Sequence, residues 1–184
     1  MGSKPSVTDT HWRGIAHLRI PLEVLDSPAW RVLGFSDKAL FVDLRAKLRS
    51  TNNGNINAAE SEMVHRGWTA PATLHKCLRV LEWMGFIEKV RQGGIGGMSK
   101  TCNLYRFTDV PSFDHPKQGV SAQKPTSDYL KYDSVKLARA AMRELREKIE
   151  AEKQQRKKSK LQKLKLVASK NEVMRRSKAS KFEG

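Results

Sequence analysis

A chain of 184 residues carrying 35 Lys and Arg against 19 Asp and Glu, a net charge of +16, is sized for one compact domain plus an appendage. Its 39% hydrophobic content suffices for a core over roughly 90–110 residues but not for a core spread over the whole length. No stretch approaches the ~20 apolar residues of a membrane span, no secretory leader is evident, and two cysteines without clustered histidines support neither a disulfide framework nor a zinc site. The expectation is a soluble, cytoplasmic chain whose partner is a polyanion, nucleic acid before membrane.

The charge is unevenly placed. Residues 1–108 hold 15 basic and 9 acidic side chains, whereas residues 109–184 hold 20 and 10. Between 154 and 181 there are 11 cations and one acid, Glu172, while all four tryptophans fall before residue 84. Core-forming and charged material therefore occupy different parts of the chain, as in a folded head with a basic arm. The divisions expected are an N-terminal extension over 1–34, a head over 35–108, a linker over 109–133 marked by prolines, an amphipathic helix over 134–153 and a basic arm over 154–184.

In the head, Phe35-Ser36 followed by Leu40, Phe41, Leu44 and Leu48 predicts a first helix, with Ser36 as N-cap and a Phe35–Leu40 staple. Residues 50–54, STNNG, end it in a turn, and Asn55-Ile56-Asn57 allows a short strand. A second helix over 58–66 closes at Gly67. The pattern restarts with Thr69 as N-cap, Pro71 in the first turn and Leu74, Leu78 and Leu81 at helical spacing, and stops at Gly85. The period then becomes alternating: residues 86–91 predict a strand, residues 93–97 a glycine-rich loop and residues 102–107 an antiparallel return strand.

Helix, short strand, two helices, strand, glycine loop and strand in this order resemble the winged helix-turn-helix. The strings NNGNI (52–56), RGWTAPATL (66–74), LEWMGFIEKVRQGG (81–94) and CNLYRFT (102–108) are similar to those of a group of bacterial helix-turn-helix proteins carried by plasmids and phages. The fold implied is α+β, mainly α: a winged helix-turn-helix domain with a C-terminal basic arm, helical or disordered. The resemblance implies binding of double-stranded DNA, with the third helix in the major groove and the hairpin on backbone or minor groove. It also implies a nucleoid-associated place in a bacterial cytoplasm. Transcriptional regulation and a replication accessory role both fit.

Helical phase selects the contacts. With Leu74, Leu78 and Leu81 inward, the opposite face carries Thr69, Ala72, Lys76 and Arg79, with Thr73 at its edge. Lys76 and Arg79 can donate to guanine or phosphate, Thr69 and Thr73 to phosphate, and Ala72 can touch a thymine methyl. In the hairpin, Arg91, Gln92 and Lys100 flank the glycines and could meet phosphate. Trp30, Trp68 and Trp83 are expected in core or helix-edge packing rather than stacked on bases, and Cys77 and Cys102 reduced. No paired histidines stand beside a nucleophilic tyrosine and no acids cluster as metal ligands, so neither catalysis, metal, cofactor nor small-molecule substrate is expected.

In the tail, Val135, Ala138, Met142, Leu145 and Ile149 follow a 3-4 spacing, flanked by i,i+4 pairs such as Glu144–Lys148. Two heptads leave open whether this stripe packs on its own head or forms a homodimer through 135–149. Beyond it, Arg156, Lys157, Lys158, Lys160, Lys163, Lys165, Arg175 and Arg176 are the phosphate-seeking cations of the arm. The alternative function is sequence-independent RNA or DNA binding driven by this arm.

Overall fold

The computed structural model describes residues 15–96 and 99–179, and the side chains among them except those of 95–100 and 165–179. It divides into two compact units, residues 1–142 and 143–184.

The first unit is α+β and mainly helical. Helices α1 (Leu22–Asp26), α2 (Pro28–Arg31) and α3 (Phe35–Arg45) lead to the two-residue strand β1 (Ile56–Asn57). Helix α4 (Glu60–Met63) passes into a 3-10 turn (Val64–Arg66), and α5 (Pro71–Trp83) follows. Strands β2 (Ile87–Arg91), β3 (Gly94–Gly96), β4 (Ser99–Thr101) and β5 (Leu104–Phe107) complete the hairpin region. The sheet is three-stranded and antiparallel in the order β1-β5-β2, with Ile56 opposite Tyr105 and Ile87 opposite Phe107. Its register shifts between Lys89 and Arg91, and β3 and β4 form a separate ladder at the hairpin tip. Two 3-10 turns (Pro116–Gln118 and Asp128–Lys131) precede α6 (Val135–Ala179).

Apolar spacing explains the core. Leu40, Phe41 and Leu44 recur at one turn on α3, as do Leu74, Leu78 and Leu81 on α5; all are buried, together with Ile56, Ile87, Leu104 and Phe107 of the sheet. Phe41 is its centre, meeting Trp30, Phe86 and Phe107 edge to face at ring-centroid distances of 5.1, 5.7 and 5.3 Å.

Two start signals differ from expectation. Helix α3 begins at Phe35 with Gly34 as N-cap, because the Asp37 carboxylate reaches back to accept from the Gly34 N–H at 3.0 Å. Phe35 is 93% exposed, so no staple forms with the buried Leu40. Helix α5 is capped by Ala70 rather than Thr69; Pro71 at its first position sets the helical φ and removes one unpaired donor. The second helix is shorter than 58–66, its last turn tightening to 3-10 before Gly67 at φ +90°. Within the glycine-rich stretch Gly94–Gly96 form β3, paired with β4.

Residues 109–133 are a cover on the sheet rather than a free linker. Asn53 clamps it: its amide nitrogen donates to the carbonyls of Phe107, Val110 and Pro111, and its oxygen accepts from the Phe107 N–H at 2.7 Å. Arg45 reaches Asp109 through two 2.7 Å bonds, with both side chains almost completely buried. Arg106, 2% exposed, binds Glu88 at 2.6 Å and the Thr126 hydroxyl at 3.3 Å. Tyr129 stacks on Phe86 at 5.4 Å and 6°. Gly85, at φ +82°, admits this return, since a Cβ there would stand 2.6 Å from the Asp128 carbonyl carbon.

Helix α6 runs unbroken to Ala179, so the basic segment is helical where described. In the first unit it buries Ala138 and Met142, the first inward positions of its apolar stripe. Among the described residues no helix is long and apolar enough to cross a membrane.

Candidate nucleic-acid interface

The approach to α5 is fixed by polar bonds from earlier elements. Trp68 donates its indole N–H to the Asp43 carboxylate of α3 at 2.8 Å, and Arg66 pairs with the same carboxylate at 3.3 Å. Helix α4 is held by the Lys47 ammonium, which lies 2.7 Å from Glu62 and 2.7 Å from the Asn57 carbonyl. That hydrogen bond from Lys47 keeps the Glu62 carboxyl below the ordinary value of 4.5, overcoming the opposing effect of partial burial. These anchors orient the start of α5 without touching its outer face.

On α5 the burial split is sharp. Leu74, Cys77, Leu78, Val80 and Leu81 are buried, while Thr69, Ala70, Ala72, Thr73, His75 and Lys76 are exposed. The exposed face bears no acid until Glu82 near the helix end. Lys76 makes no hydrogen bond or ion pair among the described residues, whereas His75 lies 2.8 Å from Glu60 of α4. Arg79 is half-buried. Burial first, and then the neighbouring Asp37 carboxylate, push the Cys77 thiol up to about 12, so it serves as an apolar core group.

The hairpin contacts separate. Arg91 is turned into the protein: its guanidinium donates to the Gln118 side chain and backbone and to the Cys102 carbonyl, tying the 116–118 turn to the hairpin, and its Nε is buried without a partner. Gln92 is exposed, bonded locally to the Gly93 carbonyl at 3.3 Å. The Lys100 side chain lies outside the described residues; its backbone pairs with Ile95. Gly93 sits where a Cβ would come within 2.5 Å of Thr101 and Cys102 backbone atoms, so close strand approach demands glycine.

Between the start of α4, the His75–Leu78 side of α5 and the hairpin lies an open cleft of about 690 Å³, reached also by Cys102 and Tyr105. Burial raises the Tyr105 phenol above its ordinary value. Both cysteines are free, Cys77 buried and Cys102 half-buried. The three tryptophans among the described residues are used internally: Trp30 in the aromatic core, Trp68 on Asp43, and Trp83 donating to the Ala141 carbonyl at 3.0 Å. Among the described residues no group of three or more His, Cys, Asp or Glu could hold a metal ion.

In the second unit Arg156, Lys157, Lys158, Lys160 and Lys163 are exposed along α6, and the Glu144–Lys148 pair forms at 2.7 Å. The side chains of Lys165, Arg175 and Arg176 lie outside the described residues. Asp43, Asn53 and Lys47 carry positioning roles that the sequence pattern did not announce, because their partners are 10 to 58 residues away on other elements. Comparison of the chain with protein-family models, with curated proteins and with solved structures finds no match in any of the three.

Proposed function

We propose that residues 35–108 form a winged helix-turn-helix that binds double-stranded DNA, with α5 in the major groove and the β2–β5 hairpin as the wing. The observation that carries this is the outer face of α5: an exposed row of Ala72, Thr73 and Lys76, preceded by exposed Thr69 just ahead of the helix, free of acids and backed by buried leucines. A rod with that face held clear of its own core can enter a groove, where Lys76 donates to base edges or phosphate and Ala72 offers a methyl contact. Arg79 lies further along the helix and is half-buried, so it contributes at the groove margin. In the wing Gln92 and Lys100 remain contacts, and we leave out Arg91, whose two terminal nitrogens are turned inward onto Gln118 and Cys102.

The biological setting that suits such a chain is a transcriptional regulator or a plasmid or phage replication accessory. Sequence-independent nucleic-acid binding by α6 is a second reading, favoured by the absence of any acid between Glu152 and Glu172. Selection of bound duplexes from a random pool tests the first. Enrichment of a defined site is expected, with Lys76→Ala costing about 1–3 kcal/mol on that site and under ~1 kcal/mol on random duplex. No enrichment would refute α5 as a reader, and equal losses on both duplexes would reduce Lys76 to a phosphate anchor.

A further inference from the structure

Beyond Glu152, helix α6 has two unlike faces. At 100° per residue, Lys153, Arg156, Lys157, Lys160 and Lys163 fall within an arc of about 120°, and all are exposed. The opposite side presents Gln154, Gln155, Ser159 and Gln162, with Lys158 the one cation among them up to residue 164. The cationic arc is in phase with Leu145 and Ile149 one to two turns earlier, so a helical seam that starts apolar becomes positive.

We infer that this face is a docking surface for the phosphate backbone of duplex DNA. It deepens, and rests on, the reading of the chain as a DNA-binding protein, adding a contact that ignores sequence. From Lys153 to Lys163 the helix rises about 15 Å. Measured along the duplex axis, where each strand advances about 3.4 Å per phosphate, that length faces about four phosphates of each strand. The five cations of the arc therefore meet enough phosphate charge over that length to be neutralised.

Two other occupants fit worse. A second copy of α6 packed parallel and in register along this seam would set cation against cation, since no acid lies between Glu152 and Glu172 to answer them. An anionic membrane surface needs an apolar face opposite the cations, and that side is glutamine, serine and Lys158; Leu161, 55% exposed, borders the cationic arc and Leu164, 58% exposed, lies within it.

The test uses the full chain, a random-sequence duplex and two variants of equal net charge. One removes four of the five cations of the face: Lys153→Gln, Arg156→Gln, Lys160→Gln and Lys163→Gln. The other adds four acids opposite: Gln154→Glu, Gln155→Glu, Ser159→Glu and Gln162→Glu. Circular dichroism first establishes that both keep the helix; a variant that loses it is replaced by pairwise substitutions on the same face. The face variant is expected to flatten the slope of log affinity against log salt by about 3–4 and to bind ~10-fold or more weaker than the opposite-face variant at moderate salt. Equal losses in the two variants would overturn the inference in favour of diffuse attraction. Face-dependent binding to phosphatidylserine vesicles as tight as to duplex would overturn it in favour of lipid. A chain that shows the face effect but selects no sequence loses only the α5 reading, and one that selects a site without a face effect loses only this one.

Discussion

Removing Asp109 should unfasten the cover over the sheet. In the native chain its two oxygens take both terminal nitrogens of Arg45 at 2.7 Å, and the side chains are 6% and 5% exposed. The Arg45 guanidinium also lies 4.8 Å from the Phe107 ring centroid and donates from Nε to the Arg19 carbonyl. Asp109→Ala leaves that guanidinium buried with its charge unanswered, which costs about 3–5 kcal/mol, a large share of the roughly 5–15 kcal/mol that holds a domain. In urea denaturation followed by tryptophan fluorescence the midpoint should fall with little change in slope, and Tm should drop by ~10–20 °C. Arg45→Met combined with Asp109→Leu should recover most of the loss, because a buried pair replaced by apolar side chains is often near neutral. A cost below ~1 kcal/mol for Asp109→Ala, or a double variant weaker than the single one, would refute a desolvated pair and return 109–133 to the status of a loose tether.

Gly85→Ala and Gly67→Ala both place alanine at positive φ, at a strain of about 1–2 kcal/mol, but only at Gly85 does the new Cβ strike backbone, so Gly85→Ala should be the costlier in the same denaturation assay. Alkylation at pH 8 followed by mass spectrometry should label Cys102 in the folded protein and Cys77 only on unfolding, since burial and Asp37 hold the Cys77 thiol near 12; early labelling of Cys77 would contradict the packing of α5 on α3. Glu62→Gln should lower stability by no more than ~1 kcal/mol at pH 7, Glu62 being half-exposed. Because its folded-state value is lowered, that contribution is present above about 4.5 and fades as pH falls through the lowered value, so variant and native chains should converge in acid.

Elements written in apolar periodicity were readable from the chain alone. Leu74, Leu78 and Leu81 mark the inner face of α5, Gly67 and Gly85 mark helix exits at positive φ, and the alternating run after Phe86 marks β2. What escaped is held by polar bonds between distant residues. The 109–133 segment carries few large apolar groups, yet Asn53, Arg45 and Arg106 fix it, and Ser112 and His115 bridge to Gln123 and Val120. No local pattern tells an asparagine in a turn that it will serve carbonyls 54 to 58 residues later. The same cause separates the candidate contacts: exposure of Lys76 follows from phase, whereas the inward turn of Arg91 depends on Gln118, 27 residues on. Capping misled for a different reason, since Asp37 reaches Gly34 from within the first turn and removes the need for a hydroxyl at the start.

The strand order carries a consequence for how the chain is made. β5 lies between β1 and β2, so neither neighbour has a partner until residues 104–107 leave the ribosome. A nascent chain halted before Leu104 lacks the three-stranded sheet, leaving β1 and β2 without their shared partner beside exposed apolar side chains, with only the β3–β4 ladder complete. Biosynthesis of this protein therefore passes through an aggregation-prone window that closes only when more than half the polypeptide has emerged, and a pause or truncation inside that window should yield insoluble product.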